Sequence, residues 1–471
     1  MAFPDVALAV PGYDFSEMNS AGGKRAKQAG YYLYYPPLGL CSIAASLSAR
    51  GFGVEIFDGQ VDAGSDEELA DLIASRKPRL AGVSVTTPAL GEARKLISAL
   101  RKRLDAPIVA GGPHVSCDPG ILRALGADYG VVGDGEEAFS ALADALLRGG
   151  RVPGPESGVV APGDTATPSP AMADLESIPL PSRSLLRNPG AYFNPFINTR
   201  TTTLLSARGC PFQCSFCCRT LSMGAHRPAS VERAMAEIEL AAREGYGFVS
   251  VIDETFTFNR ERAIEIARGI KRLGAGLKWS CQTRADLLDE EAAIEFRRAG
   301  CVNVSFGVEF GDERARQAAD KPVSDAALDR AFSACRAAGL TINAFLMIGG
   351  PDESREDIER TIECAIELSP DFAVFNIGSL FPGAREYERR LAAGEIDRSV
   401  WDDMAAGARD MPILSRRLER PELAELLRRG YSKFYLRPGY IIKKAFSIRS
   451  AREAYSLLKQ ARTVVADYVA K

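Results

Sequence analysis

Residues 207–218 read Ala-Arg-Gly-Cys-Pro-Phe-Gln-Cys-Ser-Phe-Cys-Cys, which sets Cys210, Cys214 and Cys217 in a C-x3-C-x2-C spacing. The run just before it, 202–207, is strand-like and opens a strand–helix alternation. The cysteines therefore fall on a loop at the carboxyl end of a strand. Three thiolates on one short loop can ligate three irons of a cubane cluster and leave the fourth iron open to a small molecule. A structural zinc needs four ligands, and His226 is the one further candidate nearby. Cys218 adjoins Cys217, cannot easily face the same metal, and reads as a bystander.

Working outward, residues 200–400 carry strand candidates at 202–207, 247–252, 277–282, 302–308, 341–348 and 372–377. Helix candidates lie near 229–244, 260–273, 289–299, 324–338 and 354–368. Six βα steps fall short of a closed eight-step barrel and predict a partial (β/α)6 TIM-type barrel, with its chemistry at the carboxyl ends of the strands. Residues 1–150 alternate in the same way, with apolar runs at 5–10, 53–58, 80–87, 107–112 and 129–133. Helix signals lie between them. Pro37 and Gly51 bracket one helix, Ser65 and Glu68 read as a capping box, and Asp118-Pro119 opens another helix. This predicts an α/β, Rossmann-like, doubly wound parallel sheet that binds its ligand over the strand carboxyl ends. Residues 151–199 form a Pro/Gly-rich connector that is expected to pack over a surface. Residues 401–471 form a helical, basic region.

Composition sets the outer limits. The 471 residues are 46% apolar and 25% charged, which excludes disorder as the main state, and the length excludes a single small domain. Lys plus Arg number 58 against 61 Asp plus Glu, a net charge of −3, so no global attraction for nucleic acid is expected. No apolar run approaches the roughly 18 residues of a transmembrane helix. The opening MAFPDVALAVPG has no basic leader region, so the expected compartment is the cytoplasm. Ten cysteines in a reducing compartment argue against a disulfide framework. Between 413 and 462 there are 13 Lys/Arg against 4 Glu. These charges suit an anionic substrate, a redox partner or a membrane surface. They equally suit solvated faces of closing helices whose lysine stems cover apolar surface. The amphipathic stretch 431–446 leaves a lipid-like substrate open.

The cysteine spacing, with Phe216 before the last ligand, resembles the radical S-adenosylmethionine superfamily. The resemblance implies a [4Fe–4S] cluster on Cys210, Cys214 and Cys217 whose open iron chelates S-adenosylmethionine, and reductive cleavage to a 5′-deoxyadenosyl radical. It places Phe216 near the adenine. Further contacts to S-adenosylmethionine are implied at strand ends: Asp253 and Glu254 in Val251-Ile-Asp-Glu, where the family's paired glycines are missing; Arg284 after the third strand; Gly307 and Glu309 in Ser305-Phe-Gly-Val-Glu; and Gly349 in Ile348-Gly-Gly-Pro-Asp. Taken singly, the carboxylates also read as solvated, Arg284 as an ordinary ion-pair partner and the glycines as turns.

No G-x-G-x-x-G follows the first strand, so dinucleotide binding is not expected. The N-terminal unit instead resembles the cobalamin-binding domain of the cobalamin-dependent radical S-adenosylmethionine subfamily. The likeness rests on Tyr35-Pro-Pro-Leu-Gly, Ser84-Val-Thr-Thr, Gly111-Gly-Pro-His, Gly133-Asp-Gly-Glu-Glu and the C-terminal Tyr435-Leu-Arg-Pro-Gly-Tyr. It implies cobalamin contacts at Ser84, Thr86, Thr87, Gly111, Gly112, His114, Gly133, Gly135 and Glu136. A D-x-H-x-x-G motif is missing, so base-off cobalamin without a histidine on cobalt is expected. His114 is either near the corrin or a turn histidine bonded to local backbone. The tyrosine run 31–35 either lines the interface between the cofactors or packs between domains. The implied activity is cobalamin-dependent C-methylation of an unactivated carbon in a small molecule, with an electron donor such as flavodoxin or ferredoxin. A non-methylating radical dehydration, cyclisation or rearrangement is the alternative. A non-catalytic corrinoid or iron–sulfur sensor or carrier is the second.

Overall fold

The computed structural model describes residues 3–13, 35–164, 172–194, 197–218 and 226–447. Tyr31, Tyr32 and Tyr34 of the tyrosine run, and the tail from 448, lie outside them.

The N-terminal unit alternates β1 (Val6–Val10), α1 (Leu38–Ala49), β2 (Val54–Asp58), α2 (Asp66–Ser75), β3 (Leu80–Ser84), α3 (Leu90–Arg101), β4 (Ile108–Gly111), α4 (Pro113–Cys117), α5 (Leu122–Leu125), β5 (Tyr129–Val131), α6 (Gly135–Arg148) and β6 (Val159–Val160). Its sheet runs in the order β2-β1-β3-β4-β5-β6, parallel except for β6. The reversal of strand order around β1 is what a doubly wound sheet requires. Ser65 caps α2 by accepting from the Glu68 N–H. The Glu68 carboxylate turns to the Gly64 N–H, so the box closes one residue early. Asp118 opens only a short 3-10 turn leading into α5 and makes no side-chain cap.

The second unit begins with β7 (Phe193–Asn194), β8 (Thr199–Leu204) and the hairpin β9 (Ala207–Arg208) and β10 (Arg227–Pro228). Then follow α7 (Val231–Arg243), β11 (Tyr246–Val251), α8 (Arg260–Leu273), β12 (Lys278–Thr283), α9 (Glu290–Arg298), β13 (Cys301–Glu309), α10 (Glu313–Ala318), α11 (Asp325–Ala338), β14 (Thr341–Ile348), α12 (Arg355–Leu368) and β15 (Phe372–Ile377). The sheet order is β15-β14-β13-β12-β11-β8-β7. Six of these strands are parallel and make an open half-barrel, and β7 adds to one edge antiparallel. The helices carry the chain from one strand to the next and bury their apolar faces on the sheet. Trp279, Phe296, Phe306, Phe332 and Phe375 are fully buried in that core.

The chain ends in α13 (Arg385–Ala392), α14 (Ser399–Ala405), α15 (Arg420–Tyr435) and α16 (Pro438–Ser447). Trp401 and Tyr387 join a core that also holds Leu90, Leu96 and Leu100 of α3, so the chain folds back onto the first unit. Edge strand β15 is closed by tyrosines. The Tyr435 hydroxyl donates to the Ala373 carbonyl at 2.9 Å and accepts its N–H at 3.1 Å, and the Tyr440 hydroxyl donates to Asp371 O at 3.0 Å. Three of the tail's basic residues are spent on this docking: Lys433 and Arg429 meet Glu359, and Lys444 meets Asp371. Asp371 precedes β15, so α16 sits at the end of the barrel away from the strand carboxyl ends. Among the described residues no helix is long and apolar enough to cross a membrane.

Candidate functional site

The carboxyl ends of the two sheets meet. Between them lies a cavity of about 500 Å³, lined on one side by Ser84, Gly111 and Gly133 and on the other by Leu205, Gly209 and Glu254. Thr86, Gly112, Gly135 and Glu136 also line it, whereas Thr87 and His114 do not. Small residues keep the space open. A Cβ at Gly82 would sit 2.8 Å from Leu8 Cδ2 and Phe139 Cε2, and one at Gly135 would sit 2.8 Å from Ile43 Cδ1. Gly112 has φ +95, which a glycine adopts without strain. A large flat ligand with amide arms fits such glycine- and hydroxyl-lined strand ends. His114 is fully buried behind the cavity. Its Nδ1 lies 3.0 Å from Thr87 Oγ1, its ring packs edge-on against Trp401, and its Nε2 has no hydrogen-bond partner among the described residues. Burial drives its pKa down to about 3, so the ring is neutral.

The cysteine segment leaves β9 at Gly209, whose φ of +89 makes the turn, and β9 pairs antiparallel with β10. Its stem is gripped by the first unit. Arg208 pairs with Asp134 at 2.8 Å and Glu136 at 2.5 Å, and Arg227 pairs with Asp134 at 2.7 Å. Ser42 donates to Glu136 at 2.6 Å, and the Ala173 N–H donates to Asp134 at 2.9 Å. The two arginines hold the Asp134 carboxyl below its ordinary range against the opposing effect of burial. On its other flank the loop is tied to the barrel and to α13: the Ser215 N–H donates to Ala319 O at 3.0 Å, the Glu386 N–H donates to Ser215 O at 2.9 Å, and Arg385 donates to Gln213 O.

Cys210, Cys214 and Cys217 share this loop. Cys217 is exposed at the surface, yet the protein packed around its sulfur pushes the thiol up to about 12, with the neighbouring Cys214, Cys218 and Cys210 adding to the shift. Cys214 is raised by burial while Lys321 and Arg284 pull it back. The donor set is thus three soft sulfurs beside two cations, which suits an anionic iron–sulfur cluster. His226 packs on Phe258 with ring centroids 4.8 Å apart. Among the described residues no three His, Cys, Asp or Glu side chains converge closely enough to hold one metal ion, the three loop cysteines included.

The remaining strand-end residues surround this loop. Phe216 is half-buried, edge-on to Phe310 at 6.2 Å. Arg284 forks onto Asp286 at 3.0 and 2.9 Å, stacks 3.8 Å over Phe212, and leaves its buried Nη1 without a partner among the described residues. A buried donor of that kind fits a ligand carboxylate. Asp253 is fully buried and both its oxygens are taken by Ser206, at 2.6 Å from the N–H and 2.6 Å from the hydroxyl; burial lifts its pKa to about 6. Glu254 lines the cavity wall and burial raises its pKa. Glu309, at φ +64 on a bulge of β13, pairs with Lys321 at 2.7 Å, and a Cβ at Gly307 would fall 2.4 Å from Glu309 Oε1. Gly349 has φ +78, and a Cβ there would strike Leu423 of α15.

Sequence reading missed Lys321, Glu353, Arg208 and Arg227. Glu353 accepts from the Gly350 N–H at 2.6 Å, its Oε1 is buried without a hydrogen-bond partner among the described residues, and burial lifts its pKa to about 7. None of the four falls in a recognisable spacing. Arg208 alone carried a signal, as the residue two before the first cysteine.

Comparison with known proteins agrees with this architecture. The B12 binding domain model matches residues 29–143, and the Radical SAM superfamily model matches residues 204–365. The chain is 31% identical over 429 residues to the uncharacterized methyltransferase PH0819 of Pyrococcus horikoshii, covering 87% of this chain and 90% of that one. It is 26% identical over 428 residues to the anaerobic magnesium-protoporphyrin IX monomethyl ester cyclase of Rubrivivax gelatinosus, covering 86% and 75%. The structure of the radical S-adenosylmethionine methyltransferase TsrM of Kitasatospora setae, with cobalamin and a [4Fe-4S] cluster bound, superposes with a TM-score of 0.68 at 20% identity, over 83% of this chain and 78% of that one, a likeness of fold. The chain belongs to the cobalamin-binding-domain radical S-adenosylmethionine family. It is a radical S-adenosylmethionine enzyme, and the relative at 31% identity is named a methyltransferase.

Proposed function

We propose that this enzyme methylates an unactivated carbon of a small molecule. In the bound state the reduced cluster supplies the electron that splits S-adenosylmethionine to a 5′-deoxyadenosyl radical, and cobalamin supplies the methyl group. The observation that carries the reading is the meeting of two sets of strand carboxyl ends around one cavity, with the cysteine loop held by salt bridges to the opposite sheet. Two cofactors can act on one substrate carbon only if they face a common space.

In this reading Cys210, Cys214 and Cys217 hold the cluster. Lys321 and Arg284 offset the negative charge that gathers there, and the unpaired Nη1 of Arg284 receives the S-adenosylmethionine carboxylate. Phe216 packs on the adenine, Glu254 and Glu309 face its polar groups, and Gly307 and Gly349 let the backbone approach. Asp253 acts through Ser206, fixing the β8 and β11 ends relative to each other. Ser84, Thr86, Gly111, Gly112, Gly133 and Gly135 cradle cobalamin. Thr87 and His114 support that cradle from behind, which favours base-off cobalamin without a histidine on cobalt. Glu136, held by Ser42 and Arg208, braces it. The electron donor is a flavodoxin- or ferredoxin-type protein of the cytoplasm.

The test is anaerobic reconstitution with iron, sulfide and cobalamin, followed by incubation with reductant, trideuteromethyl S-adenosylmethionine and extract of the source cell. The expected product is a metabolite heavier by one trideuteromethyl in place of hydrogen, formed with 5′-deoxyadenosine. A label-free product that has lost water or hydrogen would replace this reading with the cyclase-like one. Failure to form any 5′-deoxyadenosine would favour a sensor or carrier.

A further inference from the structure

Cys218 looked idle in the sequence, because it adjoins a cluster ligand and cannot share that ligand's metal. The fold gives it a partner. Its Sγ lies 3.0 Å from Sγ of Cys117, a residue 101 positions earlier and in the other domain. Cys117 ends α4, which starts at Pro113 directly after the Gly111-Gly112 strand end. That helix is fixed in place: Ser116 Oγ donates to Gly112 O at 2.9 Å and accepts the Gly133 N–H at 3.0 Å. Cys218 is held by its neighbour Cys217 on a loop tied to both domains. Both thiols thus hang on short, anchored stretches of chain, so their closeness follows from how the domains dock.

We propose that Cys117 and Cys218 form a dithiol site that peroxide converts to a disulfide, stapling the cluster loop to the cobalamin-binding domain. Both residues are partly exposed; Cys217 is more exposed but is a cluster ligand in the proposed reading, and Cys41, Cys281, Cys301 and Cys335 are buried and out of reach of solvent oxidants. A disulfide bond is about 2.05 Å long, so closure asks for a movement of roughly 1 Å. The reaction balances as two thiols plus hydrogen peroxide giving one disulfide and two waters. The O–O bond breaks, the S–S bond forms, and each sulfur surrenders one electron and one proton. Thiol reductants reverse it by exchange. The pair is a reversible first target for an oxidant beside cluster ligands whose further oxidation would be irreversible.

The site does not depend on the substrate or on methyl transfer, so it stands or falls separately from the proposed activity. The experiment treats the cluster- and cobalamin-loaded enzyme, without free reductant, with one equivalent of hydrogen peroxide. Remaining thiols are then alkylated, the iron is counted, and the digest is read by mass spectrometry, with fragmentation to locate the linked residue among the four cysteines of the peptide ending at Arg219. The expected result is a Cys117–Cys218 linked peptide pair, two hydrogens lighter than the separate thiols. It disappears with dithiothreitol and forms while the iron content stays within about a tenth of its starting value. Cys117→Ser removes the link, leaves Cys218 open to alkylation, and keeps 5′-deoxyadenosine formation in reductant within twofold of wild type. A link of Cys218 to Cys217, a link among Cys210, Cys214 and Cys217, or loss of iron before any Cys117–Cys218 link would each overturn the proposal.

Discussion

Gly307→Ala is a one-methyl change whose effect follows from the geometry. The added Cβ would lie 2.4 Å from Glu309 Oε1 and 2.5 Å from Lys321 Nζ, between two groups that are 2.7 Å apart. Both ends must retreat by about 1 Å to reach ordinary contact. At an effective dielectric near 20, opening the pair from 2.7 to about 5 Å lowers the gross attraction from about 6 to about 3 kcal/mol. Lys321 and Glu309 keep only 8% and 18% side-chain exposure, so water recovers part of the loss and the net cost is about 1–3 kcal/mol. For a domain of this size, at about 2–4 °C per kcal/mol, that lowers Tm by roughly 2–12 °C. The assay is anaerobic thermal unfolding of four proteins: wild type, Gly307→Ala, Lys321→Met and the double variant. In the Lys321→Met background the ammonium is gone and the methyl has room, so Gly307→Ala costs less than half as much there. Equal costs in the two backgrounds, or a neutral Gly307→Ala, would refute the view that this glycine exists to admit the ion pair.

Cys214→Ala removes a proposed cluster ligand, and the reconstituted protein is expected to lose its broad absorbance near 400 nm along with 5′-deoxyadenosine formation. Arg284→Lys keeps the charge but not the fork onto Asp286; S-adenosylmethionine affinity, read by calorimetry on the loaded enzyme, falls about tenfold. Glu353 titrates near 7 when folded and near 4.5 when unfolded, so in that window the folded state holds the extra proton. Its contribution is greatest below pH 4.5 and is lost as pH rises to about 7, by up to about 1.4 kcal/mol per unit. Glu353→Gln flattens that part of the stability–pH profile. Asp134→Asn deprives two arginines of a shared carboxylate; it lowers stability by about 2–3 kcal/mol and makes the protein more sensitive to proteolysis within 209–226.

The repeating units were legible because each strand and helix states its own period. The barrel strands form within a few residues of the expected runs, and Pro37, Ser65 and Gly51 mark ends that the structure uses. The cysteine loop was legible as a motif because one short segment contains all three of the spaced cysteines. Residues that work in pairs across the fold were not. Gly307 reads in the sequence as an S-adenosylmethionine contact or a turn glycine, and neither reading shows that it also makes room for a lysine 14 positions later. Glu136 reads as a ligand contact from its place in a glycine-rich loop; it lines the cavity, and its carboxylate also meets Ser42 and Arg208, which no local pattern shows. Lys321 follows a short helix and has no period of its own, so only its position beside Cys214 reveals it. The basic tail gave only its charge, and the acids it meets, Glu359 and Asp371, lie in the barrel.

Arg208 and Arg227 sit side by side at the two feet of the cysteine loop and reach one aspartate on the neighbouring domain. Seating of the domains and closure of the loop are therefore a single equilibrium. Whatever binds the closed loop more tightly than the open one must strengthen domain seating by the same factor, and firm seating must return that gain as affinity at the loop. Metal loading and interdomain assembly become steps that help each other. A fragment carrying the barrel without residues 1–150 would have to organise its cysteines with two unneutralised arginines at the entrance.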